Sequence, residues 1–111
     1  MNNYFSKEDY EKDVKEFEEL TAKMLETFKK KRNDYGPSSR LTYNLFGPDS
    51  MAVRMFDKLL RFANLTTEGR ETKVKDESVI DTLVDLANYA LITVIEYKYY
   101  RDIISPYKDE N

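Results

Sequence analysis

Asp76-Glu77-Ser78-Val79-Ile80-Asp81-Thr82-Leu83-Val84-Asp85-Leu86-Ala87-Asn88-Tyr89-Ala90-Leu91-Ile92-Thr93-Val94-Ile95 decides the fold class of this chain. From Val79 to Ile95 it is the most apolar part of the sequence, and nothing breaks it before Pro106. The pattern predicts a helix over about residues 77–104. A helix apolar on several sides is normally central. Its polar interruptions follow a rule: Asp81, Asp85 and Asn88 stand at i, i+4 and i+7, so they project from one face. Two carboxylates one turn apart repel by roughly a few tenths of a kcal/mol when exposed. Burial raises that cost steeply unless a cation or donor faces them.

The candidate for that cation lies upstream. Gly47-Pro48-Asp49-Ser50 is a break that offers Asp49 or Ser50 as a helix N-cap. A second helix is predicted over about 50–64, with Val53, Phe56, Leu59, Leu60 and Ala63 as its apolar positions. Arg54, Asp57, Lys58 and Arg61 fall at i, i+3, i+4 and i+7, again one face. Further upstream, Ser6 with Asp9 three residues on reads as a capping-box variant. It opens a first helix over about 7–34 whose apolar stripe is Tyr10, Val14, Phe17, Leu20, Met24 and Phe28. The Lys29-to-Arg32 run suits the carbonyl end of that helix. Gly36 can then serve as a left-handed cap, and Pro37 stops continuation. Leu41 to Phe46 receives no assignment, and Thr66 to Lys75, with Gly69, reads as a loop.

The expected fold is therefore all-α: three main helices in a small bundle, one domain over residues 1–111. Three helices would leave apolar surface at Leu86, Leu91, Ile92 and Ile95. A homo-oligomer, at least a dimer, is expected to complete a four-helix-type core.

Composition narrows the chemistry. The chain has no Cys and no His. Disulfides, thiolate metal sites, a Cys nucleophile and a His-dependent triad are thereby excluded. Any metal would be a hard cation on oxygen ligands, magnesium or manganese. A net charge of -3, from 18 basic and 21 acidic side chains, argues against general binding to duplex nucleic acid. The N-terminus lacks the basic and apolar blocks of a signal peptide. The apolar run Tyr89 to Ile95 is too short to span a membrane, so a cytoplasmic protein is expected.

If the two polar faces meet, three Asp, one Asn and three cations share a seam. One reading places a divalent cation on Asp57, Asp81 and Asp85, with Arg54, Lys58 and Arg61 holding phosphates. The other is an ion-pair network that sets packing register. By spacing alone the second is the commoner case, since charged stripes are usually solvated faces or intramolecular ion pairs. The nine Tyr are more often packing residues than base-stacking ones, although Tyr35, Tyr43 and Tyr89 sit near the polar segments. Glu16 and Glu19 form an E-x-x-E pair of a kind that arises readily in so acidic a helix.

Lys31-x-x-Asp34-Tyr35-Gly36, Arg54-x-x-Asp57-Lys58-x-x-Arg61 and Asp76-Glu77-Ser78-x-x-Asp81-Thr82-Leu83-x-Asp85-Leu86-Ala87-Asn88-Tyr89-Ala90 resemble the nucleotide modification associated domain 1 family, in order, over about residues 24–97. That family comprises small α-helical proteins typical of bacteriophages and prophages. The resemblance implies a role in nucleotide metabolism linked to DNA base modification and supplies no catalytic residues. The arrangement is also similar to the MazG-like all-α nucleotide pyrophosphohydrolases, which bind magnesium through E-x-x-E and E-x-x-D. Glu16-x-x-Glu19 could stand for the first motif, whereas Asp81-x-x-x-Asp85 departs from the second.

The leading expectation is a nucleotide-phosphate-binding protein with magnesium. Asp57, Asp81 and Asp85 would be metal ligands. Lys31, Arg54, Lys58 and Arg61 would contact phosphate, and Tyr35 and Asn88 base or sugar. Whether it catalyses is left open; without His or Cys, a carboxylate-activated water attacking phosphorus would be the natural reaction. Two alternatives belong to other classes: a non-catalytic protein that sequesters a signalling nucleotide from a host defence, and a helical protein-interaction module.

Overall fold

Ser6 and Asp9 begin the first helix as their spacing implies. The Asp9 amide donates to Ser6 Oγ at 3.1 Å, and the Ser6 amide donates to Asp9 Oδ2 at 3.0 Å. This exchange satisfies amides that the first turn leaves without helical partners. The Ser6 amide first, and second the Ser6 hydroxyl, which also donates to Asp9 Oδ2 at 3.0 Å, hold the Asp9 carboxyl below its ordinary pKa. The computed structural model describes residues 4–35, 37–67 and 73–106. In it α1 spans Lys7–Tyr35. Near its end the Arg32 guanidinium lies over the Phe28 ring, 5.2 Å from the centroid. Gly36, the expected cap, lies outside the described residues. The chain forms two compact units, Met1–Gly36 and Pro37–Asn111.

Within the second unit, the unassigned segment is a helix, α2, Ser38–Phe46. It ends at Gly47, whose φ of 79° lies in the left-handed region that glycine enters without penalty. The Gly47 amide returns to the Tyr43 carbonyl at 2.7 Å. Pro48, at φ -60° and already helical, starts α3, Asp49–Leu65. Asp49 is thus the first helical residue and not the cap; Ser50 Oγ instead donates to the Gly47 carbonyl at 2.8 Å. α4 runs Lys73–Tyr99, starting about a turn before the sequence reading because Lys73 to Lys75 join it. Gly69 and its neighbours 68–72 lie outside the described residues. Past Tyr99 the helix widens into a π-helical turn, Tyr100–Ile104, closed by the Ser105 amide on the Tyr100 carbonyl at 2.8 Å. The fold is all-α, with four α-helices where three were expected and no strand among the described residues.

α2 packs on α3 and α4, and α3 packs along α4. Lys58 meets Asp85 and Arg61 meets Thr82, so three residues up α3 correspond to three residues down α4. The two helices are therefore antiparallel. The buried side chains of this unit are Tyr43, Met51, Thr82 and Glu96. Tyr43 stacks tilted against Tyr100, ring centroids 5.9 Å apart. Burial, with Tyr97 and Tyr100 beside it, pushes the Tyr43 phenol above its ordinary pKa. The apolar stripe of α3 faces the other way: Val53, Phe56, Leu59 and Leu60 are exposed. A second apolar set, Met51, Met55, Phe62 and Leu65, is buried or half-buried together with Lys58, which pairs with Asp85, while Asp57 and Arg61 stay exposed.

Candidate functional site

α3 and α4 bring Lys58 and Asp85, two of the charged residues that their spacing singled out, into contact. Lys58 Nζ lies 3.3 Å from Asp85 Oδ2, with both side chains about 30% exposed. One turn along, Arg61 Nε donates to Thr82 Oγ1 at 3.2 Å. Thr82 is 3% exposed, and its hydroxyl gives the guanidinium an acceptor inside the helix contact. Antiparallel register carries Arg54 to the level of Asn88 and Tyr89, and Arg61 to the level of Asp81 and Thr82. Helical geometry also turns Arg54, Asp57 and Arg61 to the same side of the seam as Asp81, Asp85 and Asn88. Arg54 and Asn88 are half-buried there, whereas Asp57 and Asp81 are exposed. The outcome is a mixed-charge seam in which Lys58 already holds a carboxylate.

The expected metal ligands are less convergent. Asp81 and Asp85 sit one turn apart on α4, Asp57 stands on α3, and Asp85 is engaged by Lys58. Among the described residues no three acidic side chains gather into a group that could hold a metal ion. Two further expected contacts belong to α1. Lys31 belongs to α1, in the other compact unit. The side chain of Tyr35 lies outside the described residues.

A second polar cluster escaped the sequence reading. Glu96, 1% exposed, accepts from Ser39 Oγ at 2.6 Å and from Arg40 Nε at 2.9 Å. The Arg40 guanidinium in turn lies over the Tyr99 ring, 4.0 Å from its centroid. A buried carboxylate requires such partners, and they tie α2 to the end of α4. One signal was available: Glu96 is the acid that interrupts a run from Ala90 to Tyr97 that is, Thr93 apart, otherwise apolar or aromatic. Its partners could not be named without knowing that residues 38–46 are helical. Among the described residues, Asn44 Oδ1 is a buried oxygen with no hydrogen-bond partner.

No curated protein and no solved structure matches the chain. A family match does exist, over residues 31–97, more than half of the sequence, and it covers α2, α3, the seam and nearly all of α4. The chain belongs to the family described as nucleotide modification associated domain 1.

Proposed function

We propose that the α3–α4 seam binds the phosphate group of a nucleotide and that this is the chain's part in nucleotide modification. The observation that carries the proposal is the Lys58–Asp85 pair at 3.3 Å, half-buried and bordered by Arg54 and Arg61. A phosphate dianion competes well with a carboxylate for a lysine and two arginines, and arginine's planar fork matches phosphate oxygens two at a time. Arg54, Lys58 and Arg61 would take the phosphates, and Asn88 would reach base or sugar. Where the phosphates carry magnesium, Asp57, Asp81 and Asp85 would be the carboxylates to hold it. Such an ion would polarise a phosphoryl oxygen.

One observation favours binding without chemistry. Asp85 pairs with Lys58, and among the described residues no three acidic side chains gather into a group that would hold a metal to activate water. A protein that holds a nucleotide intact, whether for a modifying enzyme or away from a defence system, needs no more than this seam. Thermal denaturation against ribo- and deoxynucleotides and cyclic dinucleotides, with and without magnesium, followed by chromatography of each ligand, tests both readings. A raised melting temperature with the ligand recovered intact supports sequestration, and magnesium-dependent cleavage supports pyrophosphohydrolase-like chemistry. No shift with any ligand overturns the proposal and leaves the seam as an ion-pair network.

A further inference from the structure

The outward face of α4 reads alike in both directions from Ala87. Leu83 and Leu91 lie four residues to either side, Ile80 and Val94 seven, and Asp76 and Lys98 eleven. At 3.6 residues per turn all seven positions fall within about 40° of one line along the helix. That line is opposite Thr82, Asp85 and Glu96, which face α3 and α2. All seven side chains are exposed; Ile80, Leu83, Leu91 and Val94 stand between 40% and 55%. The inner face of α4 is buried or half-buried at Val79, Thr82, Leu86, Tyr89 and Glu96, yet its outer face is apolar as well, which leaves more apolar surface in water than a fully partnered helix does.

A two-fold interface requires that residue i meet residue j while j meets i. A helix packing antiparallel on its own copy meets that condition when its stripe is symmetric about the dyad. We propose that the chain dimerises through α4, antiparallel, about a two-fold axis at Ala87. Ile80 then meets the partner's Val94, and Leu83 meets the partner's Leu91. Ala87 meets the partner's Ala87, where a small side chain lets the backbones approach. Asp76 comes opposite the partner's Lys98, so each end of the stripe closes with opposite charges. Lipid would need only apolarity, and α4 with its π-turn is long and apolar enough by length and composition to cross a membrane. Neither lipid nor an unrelated partner requires mirror spacing or opposite charges at equal distances. The stripe is narrow, roughly 33 Å by 10 Å, which is small for a standing interface, so association depends on concentration.

The full chain contains no Cys, so one introduced thiol reports only on its own neighbour. Mild oxidation of Ala87→Cys should give a covalent dimer, and Ile80→Cys alone should not, while a mixture of Ile80→Cys and Val94→Cys should cross-link. Sedimentation over a dilution series should show a mass of twice 13.2 kDa at high concentration. Asp76→Lys sets two lysines at each end and should weaken the dimer roughly three- to tenfold, since exposed pairs are worth little each. The double exchange Asp76→Lys with Lys98→Asp should restore it. A chain that stays monomeric throughout, or one that moves onto lipid vesicles in preference to dimerising, overturns the proposal. So does Ile80→Cys linking to itself as readily as Ala87→Cys, or a double exchange no tighter than the single.

Discussion

Replacing Glu96 by Ala removes the group on which the α2–α4 contact converges. Glu96 is 1% exposed and accepts from Ser39 Oγ and Arg40 Nε. Hydrogen bonds to a charged group contribute about 1.5–3 kcal/mol each. Arg40 keeps 32% of its side-chain surface in water, so on losing Glu96 it can rehydrate in part, and the low end of that range applies. Two bonds at the low end give about 3 kcal/mol, which agrees with the roughly 3–5 kcal/mol for breaking a buried ion pair by removing one partner. For a unit of this size that is a fall in melting temperature of about 12–24 °C. Glu96→Gln keeps the volume and an acceptor for Ser39 and loses only the charge, so it should cost about half as much. Urea denaturation followed by circular dichroism measures both, with the slope against urea unchanged. A loss below about 0.5 kcal/mol for Glu96→Ala, the range of an ordinary surface change, would refute the claim that this carboxylate ties the helices together. Arg40→Ala alone and combined with Glu96→Ala completes a cycle, and the double variant should lose much less than the two single losses added together.

Three further outcomes follow from local geometry. Gly47→Ala should cost about 1–3 kcal/mol, all of it backbone strain at φ 79° and ψ -173°, because an added Cβ meets nothing within 4 Å; Gly47→Asn should cost about as much, since essentially glycine alone adopts this backbone region, which urea titration of the pair checks. Asp9 has a depressed folded pKa, so its contribution is present above the unfolded value of 3.8 and is lost as pH falls through the folded one. Acid titration by circular dichroism should therefore show α1 losing helicity below about pH 4, and Asp9→Asn should flatten that loss. Tyr43 has a raised folded pKa, so stability is full below the unfolded value of 10.0 and falls as pH rises through the folded one. Tyr43→Phe should remove that alkaline loss in denaturation series on either side of pH 10.

The two ends of this account differ in how far residues alone could lead. Ser6 and Asp9 act through neighbours three apart, so α1 was legible from its first turn. The same holds for the seam: Lys58 and Asp85 each belonged to a one-face charge pattern, and each pattern needed an opposite charge to face. Residues 38–46 were illegible because they hold no long periodic stripe, and Pro37 and Gly47 bound only nine residues between them. With α2 unread, Arg40 and Ser39 had no position, and Glu96 stood as a lone acid whose partners lie 56 and 57 residues away. The orientation of α3 was ambiguous for a different reason. It carries an apolar stripe at Val53, Phe56 and Leu60 and a charged one at Arg54, Lys58 and Arg61, and either could face inward. Neither stripe turned fully inward: Met51, Met55, Phe62 and Leu65 are buried or half-buried together with Lys58, whose pairing with Asp85 is invisible in either helix alone.

The most direct test of the central claim is a nuclear magnetic resonance titration of the full chain with nucleoside mono- and triphosphates, recording backbone amides and the arginine Nε–Hε groups. A seam that binds phosphate predicts that Arg54 and Arg61 Nε–Hε signals and the amides around Lys58, Asp81, Asp85 and Asn88 move together and saturate. Lys58→Ala combined with Arg61→Ala should then abolish the movement while the spectrum stays folded. Spectra that do not change with any nucleotide, or changes confined to residues away from α3 and α4, would contradict it.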